Sequence, residues 1–224
     1  MDNIGKASVA EFIGTFALIF FGAGSIVAGG TLLEVALAHG LAIAIMVTLM
    51  AHVSGGVFNP AIQVALWVTG KMPTTRSGIY IVAQLAGATV AALAIDWFVP
   101  QASEAANVGT PAVAAGLEVG KAVVVEALTT FFLVWAVFAS AVDDRNAFRT
   151  MASFAIGLTI TIDILATGPL TGGIMNPARW FGPALVAGDW TNWWVWIVGP
   201  VAGGVIAGVG YWYLYLKGRE AATP

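Results

Sequence analysis

Long apolar runs separated by short polar loops dominate the pattern of hydrophobic and polar positions along the chain. Six runs match the length of about 20 apolar residues that an α-helix needs to cross a bilayer, at 7–28, 35–52, 79–98, 122–142, 151–168 and 193–216. Polarity does not alternate from residue to residue within them, as it would in the strands of a membrane β-barrel. The pattern therefore predicts an all-α membrane protein with six transmembrane helices.

Two shorter apolar segments follow the second and fifth runs, and both begin with the same motif. The sequence SGGVFNPA at 54–61 returns as TGGIMNPA at 171–178. Paired glycines allow unusual backbone conformations, and Asn followed by Pro is typical of a helix start, where Asn caps and Pro takes the first helical position. Each copy is predicted to be a loop that enters the apolar layer and begins a half-helix there, at Asn59, Pro60, Ala61 and at Asn176, Pro177, Ala178.

The two motifs belong to a longer repeat, at about 7–99 and 120–216. The pattern E-x-x-x-T-F occurs at 11–16 and again at 126–131, and Gly40 and Gly157 precede their asparagines by the same distance. Each half holds three spans, an odd number, so the second half must be inverted relative to the first. Inverted repeats with half-helices that meet near the bilayer midplane are a recurring way to build a substrate path. The sequence thus predicts one channel domain, 1–224.

Charge supports the membrane assignment and predicts an orientation. The chain is 59% hydrophobic and only 9% charged, whereas soluble domains carry about 25% charged residues. Cytoplasmic N- and C-termini satisfy the positive-inside rule, because most basic residues then lie inside: Lys6, Lys71, Arg76, Arg145, Arg149, Lys217 and Arg219. We expect an integral protein of the cell (plasma or inner) membrane.

The sequence also excludes several kinds of site. Cysteine is absent, which excludes disulfides and thiolate metal sites. The two histidines, His39 and His52, are too far apart to suggest a metal cluster, and no nucleophile–base pair is visible. No stretch is basic enough to suggest nucleic acid. We expect no enzyme activity, no cofactor and no nucleic-acid partner.

A few polar and aromatic residues lie inside or beside the apolar runs. Intramembrane acids suggest function by default, but the matched positions of Glu11 and Glu126 suit hydrogen bonds to the two re-entrant loops, so both are predicted to be structural supports. His52 is expected to tie down the first loop and to border the inner vestibule. Asp163 could support loop backbone or shape the outer pore, and both roles stay open. The tryptophans at 190, 193, 194 and 196 are expected to form an interfacial belt.

With these motifs, the chain resembles the aquaporin family, also called the major intrinsic proteins. The resemblance covers nearly the whole chain and rests on both N-P-A boxes, the second of which continues as NPARWFGPA at 176–184. It implies an aquaporin-like six-helix bundle with two re-entrant half-helices, assembled as a homotetramer with one pore per subunit. It also implies a passive channel for water and small neutral solutes that excludes ions and protons, with a four-residue constriction at His39, Ile164, Gly173 and Arg179.

The constriction departs from the strict water-selective pattern, which usually has Phe at the position of His39 and His at that of Ile164. It resembles that of plant vacuolar (tonoplast) aquaporins that pass ammonia as well as water, although their loop histidine has no counterpart in 100–118. Trp180 and Ala184 replace residues typical of glycerol-passing relatives. We expect a water channel with ammonia as a second permeant. The alternatives are a facilitator of glycerol or other small neutral solutes and an ion-coupled secondary transporter, a class that also uses inverted repeats.

Overall fold

The computed structural model describes residues 3–218, so Arg219, one of the basic residues predicted to be cytoplasmic, lies outside the described residues. Short π-helical turns at Phe138–Val142 and Trp212–Leu216 extend the sixth and ninth of its α-helices, and 3-10 turns lie at Asn107–Gly109 and Arg149–Met151. The helices of the described part are α1 (Ile4–Val27), α2 (Leu32–Ser54), α3 (Pro60–Val68), α4 (Thr74–Phe98), α5 (Pro100–Ala105), α6 (Val119–Val137), α7 (Ala152–Thr171), α8 (Pro177–Ala187) and α9 (Val195–Tyr211).

Six helices within residues 3–218 are long and apolar enough to cross a membrane, and this confirms the six predicted spans. Some ends differ from the prediction. The second span begins at Leu32 because Thr31 and Glu34 form a capping box, in which the Thr31 N–H donates to Glu34 Oε2 at 2.6 Å. The loop predicted at 70–76 is shorter, because α4 already begins at Thr74, directly after Pro73.

The re-entrant segments fold as their motifs predict. The half-helices α3 and α8 begin at Pro60 and Pro177, each capped by the preceding asparagine. The preceding spans end at Ser54 and Thr171, and the glycine that follows each, Gly55 or Gly172, has a φ angle in the left-handed region, 98° and 86° respectively. Glycine adopts this conformation without a steric penalty, so the chain can leave each span and turn back into the apolar layer.

Helix packing gives the two halves the same internal arrangement and joins them. In the first half α1 packs on α2 and α4, and in the second α6 packs on α7 and α9. A Cβ at Gly87 would lie 2.3 Å from the carbonyl oxygen of Phe12, and one at Gly203 would lie 1.9 Å from that of Ala127. Each half-helix packs on the last span of the other half, α3 on α9 and α8 on α4, which brings their N-termini together.

Candidate functional site

A cavity of about 700 Å³ lies between the two halves. The residues of the two N-P-A boxes take different positions. Both asparagines line the cavity, whereas the Pro-Ala pairs are buried in the first turns of α3 and α8. The polar residues towards the end that we assign to the inside are Thr48, His52, Lys71, Ser140, Arg149, Thr150 and Ser153. All six residues predicted to line the pore are part of its wall: His39, Asn59, Ile164, Gly173, Asn176 and Arg179.

Each asparagine is held by its own helix and by the opposite loop. The Asn59 Oδ1 accepts from the Ala61 N–H at 2.8 Å, and its Nδ2 donates to the carbonyl of Met175 at 2.9 Å. Asn176 makes the same two kinds of contact, with its Nδ2 donating to the carbonyl of Phe58 at 2.9 Å. Because an amide NH2 group carries a second N–H, each side chain keeps one donor for the cavity.

The residue before each asparagine has a strained backbone that the motif does not reveal. Phe58 and Met175 have φ angles of 49° and 53°, and such values are outliers for bulky side chains. Each residue has its N–H bonded to a buried carboxyl group and its carbonyl bonded to the opposite asparagine. The surroundings therefore fix both backbone groups and hold the strained conformation in place.

The matched acids Glu11 and Glu126 contact the two re-entrant loops, and both are 0% exposed. Glu11 accepts from the Ser54 hydroxyl at 2.6 Å, from the N–H groups of Val57 and Phe58 in the first loop at 3.0 and 2.7 Å, and from Gln84 Nε2 at 2.8 Å. Glu126 accepts from the Thr171 hydroxyl at 2.6 Å and from the N–H groups of the second loop at 3.0 and 2.9 Å. Each carboxyl group thus accepts hydrogen bonds from loop donors that have no partner within a helix.

Two aromatic side chains also hold the loops. The Tyr80 hydroxyl donates to the carbonyl of Ser54 at 3.0 Å, and Trp196 Nε1 donates to the carbonyl of Thr171 at 3.0 Å. The expectation that Trp196 belongs to an interfacial belt was wrong, because this residue is 1% exposed. Its place in the repeat, matching that of Tyr80, is the sequence signal that identifies its role.

The outer constriction contains a bonded pair of side chains. The Nε of Arg179 donates to Nε2 of His39 at 2.8 Å, and its Nη1 donates to the carbonyl of Gly109 at 3.0 Å. A guanidinium only donates and a carbonyl only accepts. His39 therefore carries its proton on Nδ1, which lies 2.8 Å from the carbonyl of Val35. Gly22 makes room for the ring, since a Cβ there would lie 2.5 Å from it.

These contacts change the roles expected in the constriction. His39 was expected to offer a donor or acceptor to the passing molecule, but Val35 and Arg179 occupy both of its ring nitrogens. The polar side chain of the constriction that keeps a free donor is instead Arg179, which lines the cavity and whose Nη2 group bonds to no atom of residues 3–218. No sequence motif pointed to Gly109, because it acts through its backbone carbonyl.

The remaining wall of the constriction is apolar and without bulk. Ile164 is buried and lines the cavity beside Gly173. Gly173 has a φ of 58°, and a Cβ there would lie 3.0 Å from Thr167 Oγ1 and 3.1 Å from Ile164 Cα. A side chain at 173 would be strained by the left-handed backbone and crowded by these neighbours. Glycine is therefore favoured at this position, and its lack of a side chain leaves the wall open.

Two other polar residues do not take the roles expected of them. His52 borders the cavity, but it is exposed and makes no hydrogen bond within residues 3–218. It therefore does not tie down the first loop, and Glu11 does so instead. Asp163 is 7% exposed and its Oδ2 has no partner in the described part of the chain. Its carboxyl group neither bonds to a re-entrant loop nor belongs to the cavity wall.

A second polar cluster fixes the loop at the inner end of the cavity. Arg145 donates to both carboxylate oxygens of Asp143, and the Tyr211 hydroxyl adds a third bond at 2.9 Å. The hydrogen bonds from Arg145 hold the pKa of Asp143 well below its usual value. Arg145 also donates to the carbonyl of Tyr215 at 3.3 Å. The loop that leads to Arg149 is thereby tied to the end of α9.

The cavity has no place for a bound metal within residues 3–218, where no group of three His, Cys, Asp or Glu could hold an ion. The groups that line it offer hydrogen bonds and electrostatic interactions. Two amide N–H groups, a guanidinium and two half-helix N-termini supply donors and positive potential, while Ile164 and Gly173 form an apolar wall of the constriction.

Comparisons with known proteins agree with this architecture. A family model described as "Major intrinsic protein" matches residues 2–211. Aquaporin TIP4-4 of Zea mays is 43% identical, covering 94% of this chain and 87% of its own. Aquaporin TIP2-1 of Arabidopsis thaliana is 39% identical, covering 96% and 89%. The X-ray structure of the aquaglyceroporin from Plasmodium falciparum superposes with a TM-score of 0.87 at 22% identity, covering 99% of this chain and 100% of that chain; at this identity it shows the fold alone.

Proposed function

The chain belongs to the major intrinsic protein family, and we propose that it is a passive transmembrane channel for water. It is a channel and not an enzyme. The observation that carries the proposal is the meeting of two capped half-helices at one cavity, where Asn59 and Asn176 each keep an N–H free. Its relatives are named aquaporins, which agrees with water as the permeant.

The asparagines orient each water molecule that passes between them. A water oxygen can accept from the free N–H of Asn59 and that of Asn176, so its own hydrogens point away along the path. Neighbouring waters on the two sides are then polarised in opposite directions, and a proton cannot hop along the chain of waters. The N-termini of α3 and α8 add positive potential at the same point, which opposes cations and protons.

Arg179 adds a second barrier to cations at the outer constriction. It is buried beside the cavity and held by His39 and Gly109, so its charge cannot move away from the path. A neutral solute can accept a hydrogen bond from its Nη2 group, whereas a cation is repelled. Selectivity for neutral molecules thus needs only fixed donors and no moving part.

Ammonia is the second permeant that we propose. Ile164 and Gly173 leave one wall of the constriction apolar and open, and His39 has no free nitrogen to offset this. The variant Ile164→His adds a polar side chain to that wall and should reduce ammonia permeability more than water permeability. Equal losses of the two permeabilities would contradict a role of Ile164 in selectivity.

The protein is integral to a membrane, and we further propose that this is the cell (plasma or inner) membrane, with cytoplasmic termini and four copies in a homotetramer. Because the chain lacks cysteine, single-cysteine variants can test the orientation directly. An impermeant maleimide applied outside should label Thr191→Cys and should leave Asp144→Cys unlabelled. The reverse pattern would contradict the orientation, and the mass of the purified protein in detergent would test the tetramer.

The function itself is tested with the purified protein in liposomes. Stopped-flow light scattering should show osmotic water flow well above that of protein-free liposomes, and pH-sensitive dye should show ammonia entry. Thiol-reactive mercury should leave the water flow unchanged, because cysteine is absent. Saturable, ion-dependent uptake without osmotic water flow would instead identify a secondary transporter.

A further inference from the structure

The turn at Asn107–Gly109 in the outer loop contributes to the constriction through its backbone alone. The carbonyl of Gly109 accepts from Arg179 Nη1 at 3.0 Å, and His39 supplies the other anchor of the guanidinium. The position of this carbonyl therefore helps to decide where the positive charge of Arg179 lies.

The backbone of this turn is strained. Asn107, Val108 and Gly109 have φ angles of 51°, 55° and 73°, all in the left-handed region. Asn and Gly tolerate such values, but a β-branched residue such as Val is an outlier there. A conformation of this kind persists only where the surrounding structure holds it.

Three contacts hold the turn. The Val108 side chain is buried in the main hydrophobic core. Gly109 lies against α1, where a Cβ would approach that of Ala23 to 3.1 Å. Asn107 Nδ2 donates to Asp189 Oδ2 at 2.7 Å, and a hydrogen bond to a carboxylate is stronger than one between neutral groups.

Asp189 lies just beyond the helix whose first turn carries Arg179. Its backbone N–H donates to the carbonyl of Ala184 in α8 at 3.1 Å, and its Oδ1 accepts from the Thr191 N–H at 3.0 Å. Hydrogen bonds from Thr191 and then Asn107 lower the pKa of Asp189, so the carboxylate is charged at neutral pH. The contacts form a closed ring. Arg179 in the first turn of α8 bonds to Gly109, and Asp189 just beyond the end of α8 bonds to Asn107.

We propose that Asn107 and Asp189 form a latch that positions Arg179 in the outer constriction. Neither side chain of the latch lines the cavity, so both act through the carbonyl of Gly109. When the latch is broken, the strained turn relaxes. Arg179 Nη1 then loses the carbonyl of Gly109 and donates to water in the cavity instead. The guanidinium then obstructs the path that water and ammonia share. This inference rests on the proposed function, since it concerns the constriction of the same channel.

The test exchanges the two partners of the latch. Asn107→Asp places two carboxylates face to face, whereas Asn107→Asp combined with Asp189→Asn restores a donor and an acceptor in reversed order. The matched control is Asn192→Asp, because Asn192 also has a φ of 51° in an outer loop and has no bond to the turn. Asp tolerates the left-handed region much as Asn does, so the backbone is not a confounding change.

Two measurements are made on the full-length protein. Hydrogen–deuterium exchange of residues 106–110 should become about tenfold faster in Asn107→Asp, because a lost bond to a charged group shifts the local equilibrium by about this factor. Water and ammonia permeability in liposomes should both fall about threefold or more, in proportion to the fraction of unlatched channels. The double variant should recover both properties, and the control should behave as the unmodified protein.

Several outcomes would overturn the latch. These are unchanged exchange in Asn107→Asp, no recovery in the double variant, or equal effects in Asn192→Asp. Exchange does not depend on transport, so it decides the latch separately. If the unmodified protein conducts no water, the proposed function fails, whereas the exchange data still confirm or refute the bond between Asn107 and Asp189 as the support of the turn.

Discussion

The outer constriction and its counterpart in the inverted repeat occupy equivalent positions and have opposite character. Counted from each asparagine, every constriction residue has a partner of the other half, and all eight line the cavity. The outer set contains a cation and an imidazole, whereas the inner set is entirely apolar. The pairs are His39 with Ile156, Ile164 with Val47, Gly173 with Gly56, and Arg179 with Ile62.

The comparison separates the frame of the channel, which we define as the two half-helices and the hydrogen bonds that hold their loops, from the residues that set its selectivity. Ile62 and Arg179 are the same distance from their asparagines, and they are 5% and 3% exposed. Both backbone N–H groups bond to the capping asparagine, at 3.4 and 3.3 Å. The repeat therefore builds two equal half-helix starts. In the outer one the imidazole of His39 and the carbonyl of Gly109 bond to the side chain at this position and hold a buried cation.

The largest effect is expected when the frame of either half is removed. Glu11→Ala leaves four buried donors without an acceptor, including the Gln84 side chain, and Glu126→Ala leaves three. Each variant should lower the free energy of unfolding by about 3 kcal/mol or more. Thermal unfolding in detergent measures this. Glu126→Gln keeps one acceptor oxygen and should lose less. If only one of the two alanine variants were unstable, the halves would not be equivalent in their frame.

The next effect comes from exchanging the residues that differ between the halves. Ile62→Arg places a cation among apolar residues and should cost about 2.5 to 3.5 kcal/mol, the range found for Arg in the centre of a membrane. Arg179→Ile should fold and conduct water, but its barrier to cations should weaken. Ion conductance and water flow in liposomes measure the two variants. Cation exclusion as strong in Arg179→Ile as in the unmodified protein would assign selectivity to the half-helices alone.

A smaller effect is expected for the matched aromatic donors. Tyr80→Phe removes one hydrogen bond to the first loop and should cost about 1 kcal/mol. Trp196→Phe removes the matching bond to the second loop and also leaves a cavity, so its cost should be greater. Thermal unfolding compares the pair. A larger loss in Tyr80→Phe would show that the two loops depend on these donors unequally.

The smallest effect concerns pH and the loops outside the membrane. The lowered pKa of Asp143, like that of Asp189, means that each acid stabilises the fold above its unfolded pKa and loses this contribution as pH falls through the folded value. Near neutral pH these acids should therefore cause no change of the unfolding temperature with pH. Below about pH 4 the unfolding temperature should fall. Asp143→Asn should show a weaker fall; an equal one would exclude Asp143 as its cause.

The sequence was most informative where structure depends on nearby residues. The spans follow from apolar length, and the starts of α3 and α8 follow from Asn-Pro. The repeat identified Glu11 and Glu126 as matched supports. Aligning the halves further would also have found Trp196 from Tyr80. Helix starts were missed where a cap decided them, as at Thr31.

The errors concern residues whose partners are distant in sequence. His39 was expected to face the solute, but its ring bonds to Arg179, 140 positions away. His52 was expected to hold a loop that Glu11 holds instead. Neither the left-handed backbone of Phe58 nor the role of the Gly109 carbonyl leaves a mark in the sequence, because a backbone group is the same in every residue.

The sequence by itself determined that this chain crosses a membrane six times, repeats in inverted halves and begins two half-helices inside the apolar layer. These properties depend on apolar length, caps and turns, which neighbouring residues specify. Only the tertiary structure decided which polar atoms remain free for a solute. Hydrogen bonds between distant segments use up both nitrogens of His39 and two of the donor atoms of Arg179, and they leave one N–H on each asparagine.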